Sequence, residues 1–401
     1  MDFRTIAGPV GPPGWALVLK FSKFPPEKPT TMKPNPSPLD LGADRLVSLD
    51  VFRGLTIAGM VIVNDPGSWD YVYAPLRHAE WHGITPTDLV FPFFLYIMGV
   101  AVVLALSRRL AKGVTPRALY GKILRRTLIL FALGLFLNLF PDFQFAELRV
   151  AGVLQRIALV YLACALLFLH TGWRGQLWWG VGLLVGYWLA MCFIPTPGYG
   201  EVLLEPGKNL AAWVDSHLLP GRFYQGSWDP EGLLSTLPAI GTGISGMLVG
   251  HLLLSKRSNE HKLIWMLVGG FLAFVAGSVW DWFFPINKNL WTSSYVLYTS
   301  GLATLTFAAC LWFVDVLGYR SWTHFGVVFG MNAIAAYVLH GVLIHAFLAG
   351  GESSVVHRFF TGLTQLGLEP KLASFLWALS YTLLIYLIAW VLYRRRIFIK
   401  I

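Results

Sequence analysis

Apolar runs of about 20 residues, the length a helix needs to cross a bilayer, recur from Leu46 almost to the C-terminus. They predict helices near 48–65, 85–107, 122–140, 151–170, 176–195, 232–254, 263–284, 294–316, 325–349 and 372–393. No long polar block separates them. Residues 44–401 are therefore expected to form one all-α domain, a polytopic transmembrane bundle of about ten helices. Glycines inside the runs, Gly241, Gly243, Gly246 and Gly250 among them, point to close helix packing rather than to helix breaks. The chain shows no internal repeat, so the inverted-repeat signature of many secondary transporters is missing. Ahead of the runs, residues 1–43 contain PVGPPG, KFPPEKP and KPNPSP. Proline at that density prevents a packed helix, and no apolar segment there is long enough for a signal peptide. This segment is read as a disordered tail, with Met32 as a candidate natural start.

Composition agrees with a membrane protein: 56% of residues are hydrophobic and 13% charged, against roughly one quarter charged in soluble domains. The net charge of +10 does not point to nucleic acid, because the basic residues cluster in connections between apolar runs, as the positive-inside rule requires. The second connection carries Arg108, Arg109, Lys112, Arg117, Lys122, Arg125 and Arg126 with no acid, and the chain closes with Arg394, Arg395, Arg396 and Lys400. These ends are assigned to the cytoplasm. Alternation places Arg174, the Lys256–Arg257–Lys262 loop and Arg320 on the same side. It places His78, Glu147, Glu201 to Glu231, Lys288 and Glu352 on the other, with both termini cytoplasmic. Cys164, Cys192 and Cys310 all lie within apolar runs and offer neither a metal set nor a disulfide frame.

One stretch departs from the greasy pattern. Between the runs Leu55–Val63 and Leu89–Val103 stands a polar, aromatic segment with Asn64, Asp65, Asp70, His78, Glu80 and His82, and Asp50, Arg53 and Asp88 sit at the ends of the runs. An imidazole takes and returns a proton at neutral pH, and a carboxamide donor stabilises charge developing on an attacked carbonyl oxygen. His78 and Asn64 supply that pair of groups. From spacing alone, a lone histidine is a weak signal, and His78 reads more readily as an interfacial residue among Trp69, Tyr71, Tyr73 and Trp81, an aromatic belt. Further polar residues interrupt later runs: Gln155 and Arg156, then Asn287 and Lys288, then Asn332, His340 and His345. An arginine inside a membrane costs roughly 2.5–3.5 kcal/mol on insertion scales, so Arg156 calls for a partner. An ion pair with Asp50 or Asp88 and contact with an anionic ligand both satisfy that need.

RLVSLDVFRGLTIAGMVIVN, RHAEWHGITPTDLVFPFFLYIMG, GVLQRIALVYL, DPEGLLSTLPAIGTGISGMLVG, FPINKNLWTSSYVL and GMNAIAAYVLHG, in that order, resemble the blocks of the heparan-α-glucosaminide N-acetyltransferase family as found in its bacterial members. The similarity covers nearly everything after Asp44. It implies a transmembrane acyltransferase that moves an acetyl group from cytoplasmic acetyl-CoA to an amino sugar on the far side of the membrane. The family's catalytic histidine falls on His78 and its catalytic asparagine on Asn64. His78 would act as general base, or transiently as acyl carrier. Asp50, Arg53, Asp88, Gln155, Arg156, Asn287, Lys288, Asn332 and His340 are expected to bind substrate or donor, with the CoA phosphates near Arg156 or the second connection. No metal is expected.

The sequence departs from the lysosomal member of the family. It is expected to lack the lumenal domain and the extra leading helix, and His82 stands where the lysosomal block has Asn after Trp. The acceptor is accordingly open among glucosamine, a cell-wall or polysaccharide fragment and a hydroxyl compound. The expected location is the bacterial cytoplasmic membrane. The expected partners are the bilayer, acetyl-CoA and an amino-sugar or glycan acceptor, with a homodimer left open. Two readings compete with the acyltransferase: an amino-sugar transporter without bond chemistry, and a binding or assembly protein that keeps only the fold.

Overall fold

The structure, a computed structural model, describes residues 46–399 apart from positions 349 and 352. The Pro-rich segment 1–43, Glu352 and Lys400 lie outside the described residues. Thirteen α-helices follow one another: α1 (Val47–Asn64), α2 (Val90–Ala111), α3 (Pro116–Leu139), α4 (Val153–His170), α5 (Trp173–Phe193), α6 (Leu210–Leu218), α7 (Thr236–Leu254), α8 (Asn259–Trp280), α9 (Ser293–Leu311), α10 (His324–Met331), α11 (Ala333–Leu343), α12 (Val355–Gln365) and α13 (Pro370–Arg394). No strand occurs among the described residues beyond an isolated bridge between Arg149 and Gly221.

Among the described residues, eight segments are long and apolar enough to cross a membrane: α1, α2 with the turn before it, α4, α5, α7, α8, α9 with the turn after it, and α13. At 24 residues, α3 is about 36 Å long, but its first half carries Arg117, Lys122, Arg125 and Arg126 and only its second half is apolar. The pair α10 and α11 passes the same test when taken together and makes a ninth candidate among the described residues. The sequence predicts one helix over 325–349, whereas the structure bends this segment by 80°. The break falls at Asn332, which leaves helical geometry at φ −122° and ψ 37°. Its carboxamide explains why: Nδ2 donates to the Ile397 carbonyl at 3.0 Å and Oδ1 accepts from the Ile399 amide at 3.0 Å, which ties the break to the C-terminal segment.

Burial separates a central layer from a rim. α1 is 67% buried and α2 and α7 are each 61%, whereas α8 is 22% buried. α8 and α5 turn Phe271, Leu272, Trp178 and Trp179 outward, as lipid-facing helices do. The central helices approach closely because lipid gives apolar helices little reason to associate, so small residues must let the backbones meet. A Cβ on Gly246 would overlap the Tyr96 carbonyl oxygen, and one on Gly99 the Gly243 carbonyl oxygen, so α2 and α7 are locked in register. That contact fixes α2, whose preceding turn carries Asp88.

Candidate functional site

The sequence Thr85-Pro86-Thr87-Asp88 builds a capping box with proline at the first position of the turn Pro86–Leu89. Asp88 is thereby buried facing backwards: its Oδ2 accepts from the Thr85 amide at 3.0 Å, the Thr85 hydroxyl at 3.0 Å and the Ala79 amide at 3.1 Å. Its Oδ1 lies 2.6 Å from His78 Nδ1. An ionised carboxylate only accepts, so the Nδ1 proton of His78 points at Asp88 and Nε2 is left with the lone pair. His78 itself is 46% exposed in its side chain and Asp88 1%. The backbone of Asp88 is held as well, its carbonyl accepting from the buried Tyr295 hydroxyl at 2.6 Å.

The connection between α8 and α9 backs this loop in register. Gly83 N donates to the Ile286 carbonyl at 2.8 Å, Asn287 Nδ2 lies 3.4 Å from His82 Nδ1, and Lys288 Nζ lies 3.0 and 3.1 Å from the two ring nitrogens of His78. Lys288 Nζ is also 3.7 Å from Asp88 Oδ1. Burial pulls the Lys288 ammonium below its ordinary pKa, against the opposing pull of Asp88 and Glu231. The turn is rigid in itself: Asn287 Oδ1 accepts from Leu290 N at 2.9 Å, and Asn287 N donates to Thr292 Oγ1 at 3.0 Å. Trp291 is buried at a φ of 52° and donates from Nε1 to Thr242 Oγ1 at 3.2 Å.

Arg156 lies behind that turn. Its guanidinium sits 5.0 Å from the Trp291 ring centroid, and Nη2 donates to the Gly232 carbonyl at 3.0 Å and to the Ser235 hydroxyl. The expected ion pair with Asp50 or Asp88 does not form among the described residues: Arg156 reaches the start of α7, and Asp88 is saturated by the His78 loop. The neighbouring connections are clamped by Arg149, which donates to Asp229 at 2.6 and 2.7 Å and to Glu231 at 2.5 Å. Burial pushes the Asp229 carboxyl up, but the hydrogen bond and charge of Arg149 hold it below its usual range.

The other expected site residues spread over the bundle. Asn64 is exposed at the last residue of α1, and no hydrogen bond joins it to His78 among the described residues. The next residue, Asp65, is buried with Oδ2 3.9 Å from His340 Nε2, while His340 Nδ1 meets the Tyr337 carbonyl. Gln155 packs its side-chain oxygen against Gly134 and Gly152. Asp50 and Arg53 pair at 3.2 Å, and Arg53 also donates to the Gly330 carbonyl at 3.3 Å. The structure thus gathers His78, Asp88, Asn287 and Lys288 at one end of the bundle and Asp50, Arg53 and Asn332 at the other.

A cavity of about 430 Å³ opens at this second end. Arg53, Arg109 and Arg126 are among its lining residues, and Phe94, Ile97, Met98, Ala101, Val102 and Ala105 give it an apolar wall along α2. From Arg109 to Phe94 is fifteen residues, or about 22 Å at the helical rise, so the cavity runs most of the way to the His78 end. Arg126 Nε is buried without a hydrogen-bond partner among the described residues, as are Nε and Nη1 of Arg156; only Arg126 of the two lines the cavity. Thr85, Tyr295 and Trp291, which hold the His78 cluster together, were not expected from the sequence; the S/T-x-x-D/E form of TPTD was the available signal for the first.

The description "Heparan-alpha-glucosaminide N-acetyltransferase, catalytic" belongs to a family model that matches residues 45–278. The chain is 30% identical over 423 residues to the heparan-alpha-glucosaminide N-acetyltransferase of Mus musculus, covering 90% of this chain and 61% of that protein. Against the Homo sapiens protein of the same name it is 30% identical over 421 residues, covering 89% of this chain and 60% of that one. The chain therefore spans about three fifths of the length of these relatives. With the match running through the His78 loop, α2 and the cavity wall, this multi-pass membrane protein belongs to the heparan-alpha-glucosaminide N-acetyltransferase catalytic family.

Proposed function

We propose that the chain transfers an acetyl group from acetyl-CoA to an amino sugar, glucosamine or a glycan bearing it, across the bacterial cytoplasmic membrane. One observation carries the reading: a histidine with its Nδ1 facing a buried aspartate and its Nε2 beside Lys288 stands beyond the end of a long cavity lined by arginines. A thin thioester donor fits such a sleeve. Its phosphates would meet Arg109 and Arg126 at the cytoplasmic mouth, and its acetyl group would reach towards the end of α2 that carries Asp88. His78 Nε2 then takes a proton from the acceptor amine as that nitrogen attacks the acetyl carbon, and returns it to the departing sulfur. Asp88 keeps the ring oriented and stabilises the imidazolium formed in between, the role a buried carboxylate plays beside a catalytic histidine.

The test is incubation of the purified protein in proteoliposomes with radiolabelled acetyl-CoA and glucosamine. Labelled N-acetylglucosamine is the expected product; uptake of glucosamine without product would replace the enzyme by a transporter. Sidedness is read separately: in right-side-out cells a cysteine at Asp70 should react with an impermeant thiol reagent and one at Thr115 should not. The reverse labelling would invert the proposed orientation.

A further inference from the structure

Lys288 stands closer to the reactive face of His78 than an ordinary structural lysine needs to. Its Nζ is nearly equidistant from Nδ1 and Nε2, at 3.0 and 3.1 Å, so it lies on the lone-pair axis of neither. Nδ1 is in any case committed to Asp88. The carboxylate does not consume the ammonium either: the separation is 3.7 Å, and both Asp88 oxygens already accept from His78, Ala79 and Thr85. The side chain is only 17% exposed, and the turn beneath it is fixed by Asn287, Trp291 and Thr292. The result is a pre-oriented cation beside the one ring nitrogen available for chemistry.

Resting on the acyl-transfer reading above, we propose that Lys288 is a further catalytic residue, the donor that stabilises the negative charge developing on the acetyl carbonyl oxygen. A reacting nitrogen served by His78 Nε2 brings the acetyl carbon within about 3–3.5 Å of itself, and the carbonyl oxygen one bond further on then falls within reach of Lys288 Nζ. The acceptor nitrogen forms its bond to carbon while the C=O electron pair moves to oxygen, which Lys288 meets with an N–H. Return of that pair breaks the carbon–sulfur bond, and His78 delivers the proton taken from nitrogen to the thiolate, giving amide and thiol. The charges facing Lys288 are Asp88, Glu231, Arg156 and the ring of His78. A donor placed at the oxyanion accelerates turnover without tightening ground-state binding.

The experiment compares wild type, Lys288→Met and Lys288→Arg in proteoliposomes, with kcat and both KM values followed over pH and CoA binding measured as a check on folding. Lys288→Met is expected to lower kcat by about 10²–10³-fold and to leave both KM values and CoA affinity nearly unchanged. The lysine must be charged to act, and burial lowers its pKa, so wild-type turnover should fall as pH rises through a value below about 10.4, the ordinary lysine pKa. Lys288→Arg should keep its activity through that range, because guanidinium stays protonated. A Lys288→Met enzyme with near-normal kcat, or an arginine variant that loses activity over the same pH range as wild type, overturns the assignment. If Lys288→Met fails to bind CoA, the arginine profile alone decides. A wild type that transfers no acetyl group removes the acyl-transfer reading and this inference together, whereas transfer insensitive to Lys288 removes the inference alone.

Discussion

Around His78 the polar atoms are held by short, redundant contacts, whereas at the opposite end of the bundle three arginines stand at the mouth of a cavity with largely apolar walls. Asp88 alone accepts four hydrogen bonds, from His78, Ala79 and twice from Thr85. Arg126, by contrast, keeps its buried Nε without a hydrogen-bond partner among the described residues. The difference matches what the proposed acetyl transfer asks of each end. Proton transfer and attack on a carbonyl tolerate little misplacement, so the reacting groups must be positioned before substrate arrives. A long donor needs length, an apolar sleeve and charge at its anionic end, and the phosphates themselves complete the partners of the arginines on binding.

The most severe way to break the organised end is to remove its base. His78→Ala should leave the fold intact, because the side chain is nearly half exposed, and should lower acetyl transfer by about 10²–10⁴-fold. Donor affinity should barely change, since the cavity proposed for the donor is lined by other residues. Near-normal turnover in a folded His78→Ala protein would return His78 to the aromatic belt.

Asp88→Asn sharpens the same point at somewhat smaller cost. The amide is nearly isosteric, but only one of its two ends accepts, so the four donors converging on Asp88 cannot all be satisfied. Turning the oxygen towards Thr85 and Ala79 presents an N–H to His78 Nδ1 and drives the ring proton to Nε2. A fall in kcat of about 10²–10³-fold with little change in either KM is the expected outcome. A change confined to KM would mean that Asp88 binds substrate directly.

How much of this was legible in the sequence follows the range of the forces involved. The long spans were, because bilayer thickness writes a fixed length into each of them, whereas α6 and α12, too short to cross, were not among the expected helices. The break at Asn332 was not, because its cause is a carboxamide bonded to residues 65 and 67 positions away. His78, Asp88 and Lys288 stood out as polar residues in apolar company, yet their convergence depends on a contact between the α1–α2 and α8–α9 connections that spacing does not encode. The resemblance between blocks named His78 and Asn64. It carried no information that Asp88 and Lys288 flank the ring, and Asn64 has no hydrogen bond to it among the described residues.

The open end should respond in binding rather than in rate. Arg126→Ala is expected to raise KM for acetyl-CoA by about tenfold, the loss of one charge-assisted contact of roughly 1.5–3 kcal/mol in part replaced by neighbouring charge. Saturating kcat should stay within about threefold of wild type. Raising the salt concentration should weaken donor binding in the wild type more than in the variant, because screening acts on the contact the variant lacks. A loss of kcat at saturating acetyl-CoA would tie Arg126 to the chemistry and erase the distinction between the two ends.

Arg156 gives the finest discrimination, because the sequence allowed it to belong to either end. Its location, not full satisfaction of its nitrogens, assigns it to the organised one: Nη2 donates to the Gly232 carbonyl and the Ser235 hydroxyl at the start of α7, the guanidinium lies over Trp291 in the turn that carries Lys288, and Nε and Nη1 are buried without a partner among the described residues. It takes no part in the cavity wall. Arg156→Ala should therefore leave the acetyl-CoA dissociation constant within about twofold of wild type. It should cost roughly 1–3 kcal/mol of stability by removing buried charge-assisted hydrogen bonds, although the Gly232 carbonyl keeps the Ser235 and Thr236 hydroxyls as donors, and the loss should be seen as a lower midpoint of thermal unfolding in detergent. Turnover should fall modestly, through looser placement of Lys288, and Arg156→Lys should recover less than a conservative exchange usually does, since an ammonium cannot reach Gly232 and Ser235 while lying flat on an indole. A tenfold loss of CoA affinity in a stable Arg156→Ala protein would place the donor phosphates against α7 and shift the donor path away from the cavity along α2.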